Sequence, residues 1–313
     1  MIRFDPAMQT WTATWGHTEW IIRLNDGQLL AETLGPTGSQ PPPPQPGHFL
    51  PPPVYARGEC AVYTGDHEEL VVWSLADWSS DGPRLHVALQ AGDLRATLEY
   101  EILPDLDLVH RCTRLTNIGT APVRLRRASS FAVALPASGD YTLMHLDGAW
   151  GHECSVVRTP VGQHEIVLQS RAGKTGFEHA PWFAMEGADG VWIGALLWSG
   201  NWEIHCRHGF QQPAGVTGGI QAFALRETLE PGAALDLPAA VYGYVPGDLN
   251  MAVQRLHDWQ RRNRPDPDRP IPVHFNSWYP YQGEPDAAHV SQLIDHASFD
   301  GGGFRRASRS RGG

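Results

Sequence analysis

The sequence predicts a mainly β protein, a large two-sheet sandwich followed by the start of an α/β unit, and three observations carry that reading. Short apolar runs alternate with polar residues at period two from Trp11 to about Val245. Turn tripeptides such as Asn25-Asp26-Gly27, Asn117-Ile118-Gly119 and Ser199-Gly200-Asn201 cut these runs apart. The alternating region spans more than about 200 residues, too many strands for a small immunoglobulin-type sandwich.

In chain order, "WIIRLNDGQLLAETL" reads as a hairpin and "ECAVYTGDHEELVVWSL" as two further strands around a polar turn. Between them, Gly35 to Pro53, "GPTGSQPPPPQPGHFLPPP", is predicted to be a surface loop, because its prolines donate no ladder hydrogen bonds. Such a loop is either a tolerated insertion or an arm that reaches a neighbouring subunit. The long segment "LRATLEYEILPDLDLVHRCTRLTNIGTAPVRLRRASSFAVAL" supplies several strands, and "GVWIGALLWSGNWEIHCRH" a later hairpin.

At "DLNMAVQRLHDWQRRNRPDPDRP" the period changes. Met251, Val253, Leu256 and Trp259 fit one helical face, Arg261 and Arg262 suit the negative end of the helix dipole, and Pro265 stops the helix. Beyond it "IPVHFNSWY" reads as a strand and "EPDAAHVSQLIDHA" as a helix with Val290, Leu293, Ile294 and Ala297 on one side, together one β/α unit. The expected domains are 1–249 for the sandwich, 250–268 for a linker helix, 269–298 for the β/α unit and 299–313 for a disordered or frameshifted tail.

Composition narrows the function. The formal net charge is -10, with no basic block before the last dozen positions, which argues against nucleic acid or an anionic membrane as partner. An uncharged ligand fits better. Twelve tryptophans suit either a large β core or sugar rings, and core packing is expected to take most of them. Cys60, Cys112, Cys154 and Cys206 lie far apart without a C-x-x-C pair, so free buried thiols in a reducing cytosol are expected. The N-terminus shows no signal peptide, and no run of about 18 apolar residues occurs. A cytoplasmic protein is expected.

Few motifs carry chemistry unaided. In "HCRH", His205 and His208 are expected on opposite faces of a strand, so no metal site is predicted there. No nucleophile elbow, phosphate loop or dinucleotide fingerprint occurs, and no cofactor is expected. Asp66 beside Gly65 on one turn, with Asn201 and Trp202 on another, is a surface able to hold a sugar hydroxyl and a ring face, although a plain hairpin is the simpler explanation of each turn.

Taken together, "YTGDHEE", "LDGAWGHE", "SRAGKTGFEHAPWF", "LLWSGNWE", "AVYGYVPGDLNMAVQRLHDW" and "PVHFNSW", in that order, resemble glycoside hydrolase family 36, the bacterial-type α-galactosidases. The resemblance covers roughly Trp11 to Ala297. It implies an N-terminal β-supersandwich, a helical connection, a (β/α)8 barrel and a small C-terminal β domain, with Asn276-Ser277-Trp278 at the end of the first barrel strand, where barrels build active sites. It also implies Asp66, Trp278 and Tyr279 as substrate-binding residues. Asp66, Glu68, Asp147 and Glu153 lie within its motifs and are expected to be structural or substrate-lining, not catalytic. In the family, retaining hydrolysis of terminal α-galactosides proceeds through a galactosyl-enzyme, with two carboxylates about 5 to 5.5 Å apart.

A barrel needs about 250 residues, and about 40 follow Pro272. The barrel aspartates of the family are therefore expected to be missing, and the chain inactive by itself. The composition of "GGGFRRASRSRGG" fits a frameshift or premature end near Ser298, with an authentic flexible basic tail as the rival. The competing functions are an α-galactosidase-related chain, a non-catalytic sugar-binding or oligomerisation module of galactose mutarotase-like fold, and a mutarotase-like enzyme. Partners are expected to be α-galactoside sugars, with no nucleic acid or membrane and a possible homo-oligomer.

Overall fold

The computed structural model describes residues 2–25, 28–39, 60–64, 67–136, 139–208, 214–223, 225–266, 269, 276 and 286–299. Two compact units divide at Arg264/Pro265. Among the described residues, the first unit contains twenty-one strands and one helix.

The strands are β1 (Arg3–Asp5), β2 (Thr10–Trp15), β3 (Thr18–Asn25), β4 (Gln28–Pro36), β5 (Cys60–Thr64), β6 (His67–Leu70) and β7 (Ser74–Asp81). They continue as β8 (Arg84–Ala91), β9 (Leu94–Leu103), β10 (Leu108–Asn117), β11 (Val123–Ala134), β12 (Tyr141–Asp147), β13 (Ser155–Val161) and β14 (Ile166–Ser170). The last seven are β15 (Trp182–Glu186), β16 (Val191–Leu197), β17 (Trp202–His208), β18 (Ala214–Ile220), β19 (Thr228–Leu229), β20 (Ala234–Asp236) and β21 (Ala239–Val245).

Hydrogen bonding links all of them into one network, but the pairings resolve it into two sheets. One runs β1-β2-β3-β4-β11-β18-β17-β14. The other runs β7-β8-β9-β10-β21-β16-β15-β12-β13, with β20 beside the end of β10. Among the described residues, the two are joined by strand pairing only at Gln28↔Ser74. Pairing is antiparallel throughout, apart from the single parallel contact of Ala134 with Thr33. A bulge between Ser129 and Phe131 bends β11, whose first half pairs with β5 and β19. This is the predicted large two-sheet sandwich.

Alternation explains each sheet's inner face. In β9, "LRATLEYEIL", buried residues alternate with more accessible ones along the whole strand, as a half-buried pleat requires. Across the sandwich, Phe131 stacks on Tyr242 at 5.3 Å and on Phe183 at 6.1 Å. The Trp192 indole N–H donates to the Leu34 carbonyl at 2.7 Å, fixing β16 against β4.

At the centre lies a buried polar hub. The Glu32 carboxylate on β4 accepts from the Trp20 indole at 2.8 Å, the Tyr100 hydroxyl at 3.2 Å, Arg111 at 3.1 Å and the Tyr242 hydroxyl. Burial and the adjacent Glu32 charge push the Tyr242 hydroxyl well above its ordinary pKa. A buried charge is tolerated only when its oxygens are fully engaged, and here the donors come from both sheets.

Helix α1 (Leu249–Arg262) covers the outer face of β16 and β21, burying Ala252 and Leu256 in a second apolar cluster with Leu108, Ile193, Val241 and Val245. Asp248 caps it, accepting from the Met251 amide at 2.9 Å. Arg255 and Arg262 then reach Asp107 at 3.3 Å and Asp105 at 2.6 Å in the β9–β10 turn. Asp107 has a left-handed backbone, φ 57°, and its carbonyl lies so close to Gly243 that a Cβ there would stand 2.0 Å away. Only glycine fits β21 at that point.

In the second unit, α2 (Ala287–Phe299) is described, and Val290 and Ile294 on its predicted apolar side are exposed. The "IPVHF" strand, the Pro41 to Pro53 part of the proline-rich loop and the 300–313 tail lie outside the described residues. No helix among the described residues is long and apolar enough to cross a membrane.

Candidate functional site

The three most distinctive stretches of the sequence converge at one end of the sandwich. "LDGAWGHE" leaves β12, "SRAGKTGFEHAPWF" joins β14 to β15, and "LLWSGNWE" joins β16 to β17. Because β12 pairs with β15, β15 with β16, and β14 with β17, antiparallel register delivers all three loops to the same edge.

Backbone contacts bind them. The Gly148 amide donates to the Glu178 carbonyl at 2.7 Å, and the Ala180 amide to Leu146 at 3.0 Å. The Gly173 amide donates to Asn201 Oδ1 at 2.7 Å, the Thr175 hydroxyl to the Trp198 carbonyl at 3.0 Å, and the Trp202 indole to the Thr175 carbonyl at 2.7 Å. Trp202 is thus fully buried, which corrects the sequence reading of it as a sugar platform: its ring fills the core and its polar edge pins a loop. The exposed aromatic surface here is Trp150, at 86%, with Phe177 and Trp198.

Within this edge, His145 and Asp147 share one face of β12, two residues apart, and His179 pairs with Asp147 in an isolated bridge. His145 Nδ1 lies 2.8 Å and His179 Nε2 3.6 Å from Asp147 Oδ1. The ligand atoms of all three residues lie within 4.8 Å of one another. Burial lowers the His145 pKa and the His179 ring lowers it further, against the opposing pull of Asp147. Sequence reading missed this trio. The His-x-Asp spacing on a strand was its one local signal, and the third member belongs to a distant segment.

Elsewhere the motif residues are held structurally. His205 sits between Glu165, at 3.5 Å, and Glu203, at 3.4 Å. Burial alone would lower its pKa, but the two carboxylates override this and push it up to about 9. His208 instead meets the edge of the Tyr141 ring. Glu68 lies 3.6 Å from Arg126 and 3.9 Å from Arg127. Glu153 accepts from the Gly151 amide at 3.0 Å, and backbone donors hold its pKa below the ordinary value. All four cysteines are free, as expected, but Cys154 is exposed and only Cys60 and Cys206 are buried. Asp66, Trp278 and Tyr279 lie outside the described residues.

A separate groove of 470 Å³ crosses the outer face of β7 to β10. Register builds it in two rows, Asp81-Arg84-Glu101-His110 and Ser79-His86-Glu99-Cys112, each row made of direct cross-strand partners. Burial lowers the His110 pKa and raises that of Cys112.

Two antiparallel sheets of this size, stacked around one core, define a β-supersandwich protein. Residues 77–230 match the Glycosyl hydrolase family 36 N-terminal domain. It is similar to α-galactosidase AgaA of Geobacillus stearothermophilus, 29% identical over 59% of this chain and 26% of the relative. It is also similar to α-galactosidase 2 of Pediococcus pentosaceus, 26% identical over 68% of this chain and 30% of the relative. The crystal structure of the Lactobacillus brevis α-galactosidase superposes with a TM-score of 0.81 at 17% identity, over 96% of this chain and 48% of that one. Geobacillus stearothermophilus AgaB gives 0.79 at 20% identity, over 96% and 49%. The chain thus spans under a third of the curated relatives' length and about half that of the superposed structures.

Proposed function

We propose that this chain provides the sandwich part of a retaining α-galactosidase acting on terminal α-galactosides, and that by itself it hydrolyses none. The match of residues 77–230 to the family 36 N-terminal domain carries this reading. Variants of AgaA have been solved with raffinose and with stachyose, which gives the substrate class. The family's catalytic aspartates belong to barrel strands beyond the first, whereas Glu68 and Glu153 here are held by arginines or backbone amides. Asp66, Trp278 and Tyr279 are proposed as sugar-facing residues on the strength of the motif resemblance. Four free thiols fit a reducing, cytoplasmic setting.

The test is hydrolysis of an aryl α-galactoside by the purified chain, together with calorimetric titration of galactose. No turnover and no binding tighter than millimolar are expected. Turnover that survives purification and vanishes in Asp66→Asn or Glu153→Gln would place catalysis on the sandwich and overturn the reading.

The groove over β7 to β10 favours a second reading, a sugar-binding module of galactose mutarotase-like fold, since its 470 Å³ falls within the roughly 300–1,000 Å³ of ligand clefts. Micromolar galactose binding lost in His86→Ala and in Glu99→Ala would select this reading over the first.

A further inference from the structure

We propose that His145, Asp147 and His179 form a binding site for one divalent transition-metal ion of the zinc type, clipping the loop after β12 to the segment that leads into β15. The inference stands on the geometry of the trio and is independent of any sugar chemistry.

The donor set comes first. Two imidazoles and one carboxylate are a recurrent ligand combination for zinc and neighbouring first-row metals, whereas calcium and magnesium require mostly oxygen ligands. The fold presents these donors from two directions. Strand parity places His145 and Asp147 on one face of β12, and the Asp147↔His179 bridge sets the second imidazole opposite them.

Orientation comes next. His179 Nδ1 lies 2.9 Å from the Gln169 carbonyl and 3.3 Å from the Gln169 amide. Only one of these is a hydrogen bond for a given tautomer. The shorter contact decides it, because a bare ring nitrogen 2.9 Å from a carbonyl oxygen would be repelled. Nδ1 therefore carries the proton and donates to the carbonyl, which leaves the Nε2 lone pair facing Asp147 Oδ1. Metal-bound histidines are fixed in this way, by a donor bond from the opposite ring nitrogen to a backbone carbonyl or carboxylate.

The third observation points to an ion. His145 is 5% exposed, and its Nδ1 approaches Asp147 Oδ1 at 2.8 Å. Two bare acceptors at that distance would repel, so a proton or a cation must stand between them, and neither buried atom makes a hydrogen bond of good geometry among the described residues. Buried polar atoms are nearly always satisfied, and an ion is one recognised explanation when they are not. Bonds of about 2.0–2.1 Å in a tetrahedron put ligand atoms about 3.3 Å apart. The 2.8 and 3.6 Å separations bracket that value, so seating an ion needs the first contact to open and the second to close by a few tenths of an ångström. With its side chain 46% exposed, Asp147 leaves a solvent side for water as the fourth ligand.

The test uses the full chain, stripped with a chelator and titrated calorimetrically with zinc, then loaded with cobalt for its visible ligand-field spectrum. One equivalent of zinc is expected to bind with micromolar or tighter affinity. Replacing an outer partner of a metal site typically weakens binding 10–100-fold, so His179→Gln and Asp147→Asn, which each remove a ligand, are expected to weaken it at least about a hundredfold and to abolish the cobalt spectrum. His152→Ala and Cys154→Ser, in the neighbouring loop, are expected to leave both unchanged. His145→Gln is expected to behave like the other two ligand variants; should it fail to fold, the two partly exposed positions decide the question. Absence of stoichiometric zinc binding, equal affinity in Asp147→Asn, or magnesium binding as tightly as zinc would each overturn the proposal.

Discussion

Arg111 of β10 and Glu32 of β4 meet in the middle of the sandwich, 3.1 Å apart with side chains 0% and 3% exposed, one from each sheet. The pair shares its carboxylate with Trp20, Tyr100 and Tyr242, so neither partner can be lost without stranding polar groups in the core. Breaking a buried ion pair from one side costs about 3–5 kcal/mol. Arg111→Met is expected to lower the urea unfolding free energy by that order, and Glu32→Leu combined with Arg111→Met by less than the sum of the single changes. Urea denaturation checks this, and a loss below about 1 kcal/mol for Arg111→Met would refute it.

The His205 pair of carboxylates predicts a pH dependence. Raised in the fold to about 9, His205 contributes stability that is complete below about 6.5, the unfolded value, and that disappears as pH rises toward 9. Since the side chain is 19% exposed, the contribution is on the order of 3 kcal/mol at most. Melting temperature is therefore expected to fall between neutral and alkaline pH, and His205→Gln to flatten the profile in that window. An unchanged profile in the variant would count against the pairing.

Gly243 predicts a steep steric response. A Cβ at this position would meet the Asp107 carbonyl at 2.0 Å, a backbone atom in a turn that is itself tied to α1 through Arg255. Gly243→Ala is expected to destabilise by more than about 4 kcal/mol, in the exceptional range for single substitutions. Gly162→Ala, with nothing within 4 Å of its Cβ, serves as the control and is expected to change stability by under about 0.5 kcal/mol. Thermal melts of the two proteins separate the cases.

At the start of α1, Asp248→Ala removes the side-chain acceptor for the Met251 amide. A lost cap costs about 1 kcal/mol. Asp248→Asn, which keeps the acceptor, is expected to recover most of that in chemical denaturation, and equal losses in the two variants would argue against capping.

Strand character was legible because the pleat writes itself into local sequence: the alternation in "LRATLEYEIL" is the alternation seen in burial. The α1 stop was equally local, an Arg-rich last turn followed by Pro265. Pairing was not legible. Nothing near Glu32, in "LLAETL", announces that its partner stands on β10 across the core, and by pattern a lone Glu in a strand reads as a solvent position. The same limit hid the His145, Asp147 and His179 trio, whose members are brought together by the β12–β15 pairing. Trp202 misled for the opposite reason, since a tryptophan in a polar turn looks exposed until the loop that accepts its N–H is known.

Lys174 is the sole lysine of the chain. It lies in the exposed loop between β14 and β15, its ammonium 5.8 Å from the Phe177 ring centre, and its own carbonyl accepts from Ser170. Apart from its α-amino group, the sequence holds one primary amine. A single acylating dye or a solid support therefore attaches at a defined point beside Phe177. A fluorophore placed there reports on whatever approaches that edge, and a surface bound there presents every molecule in the same orientation.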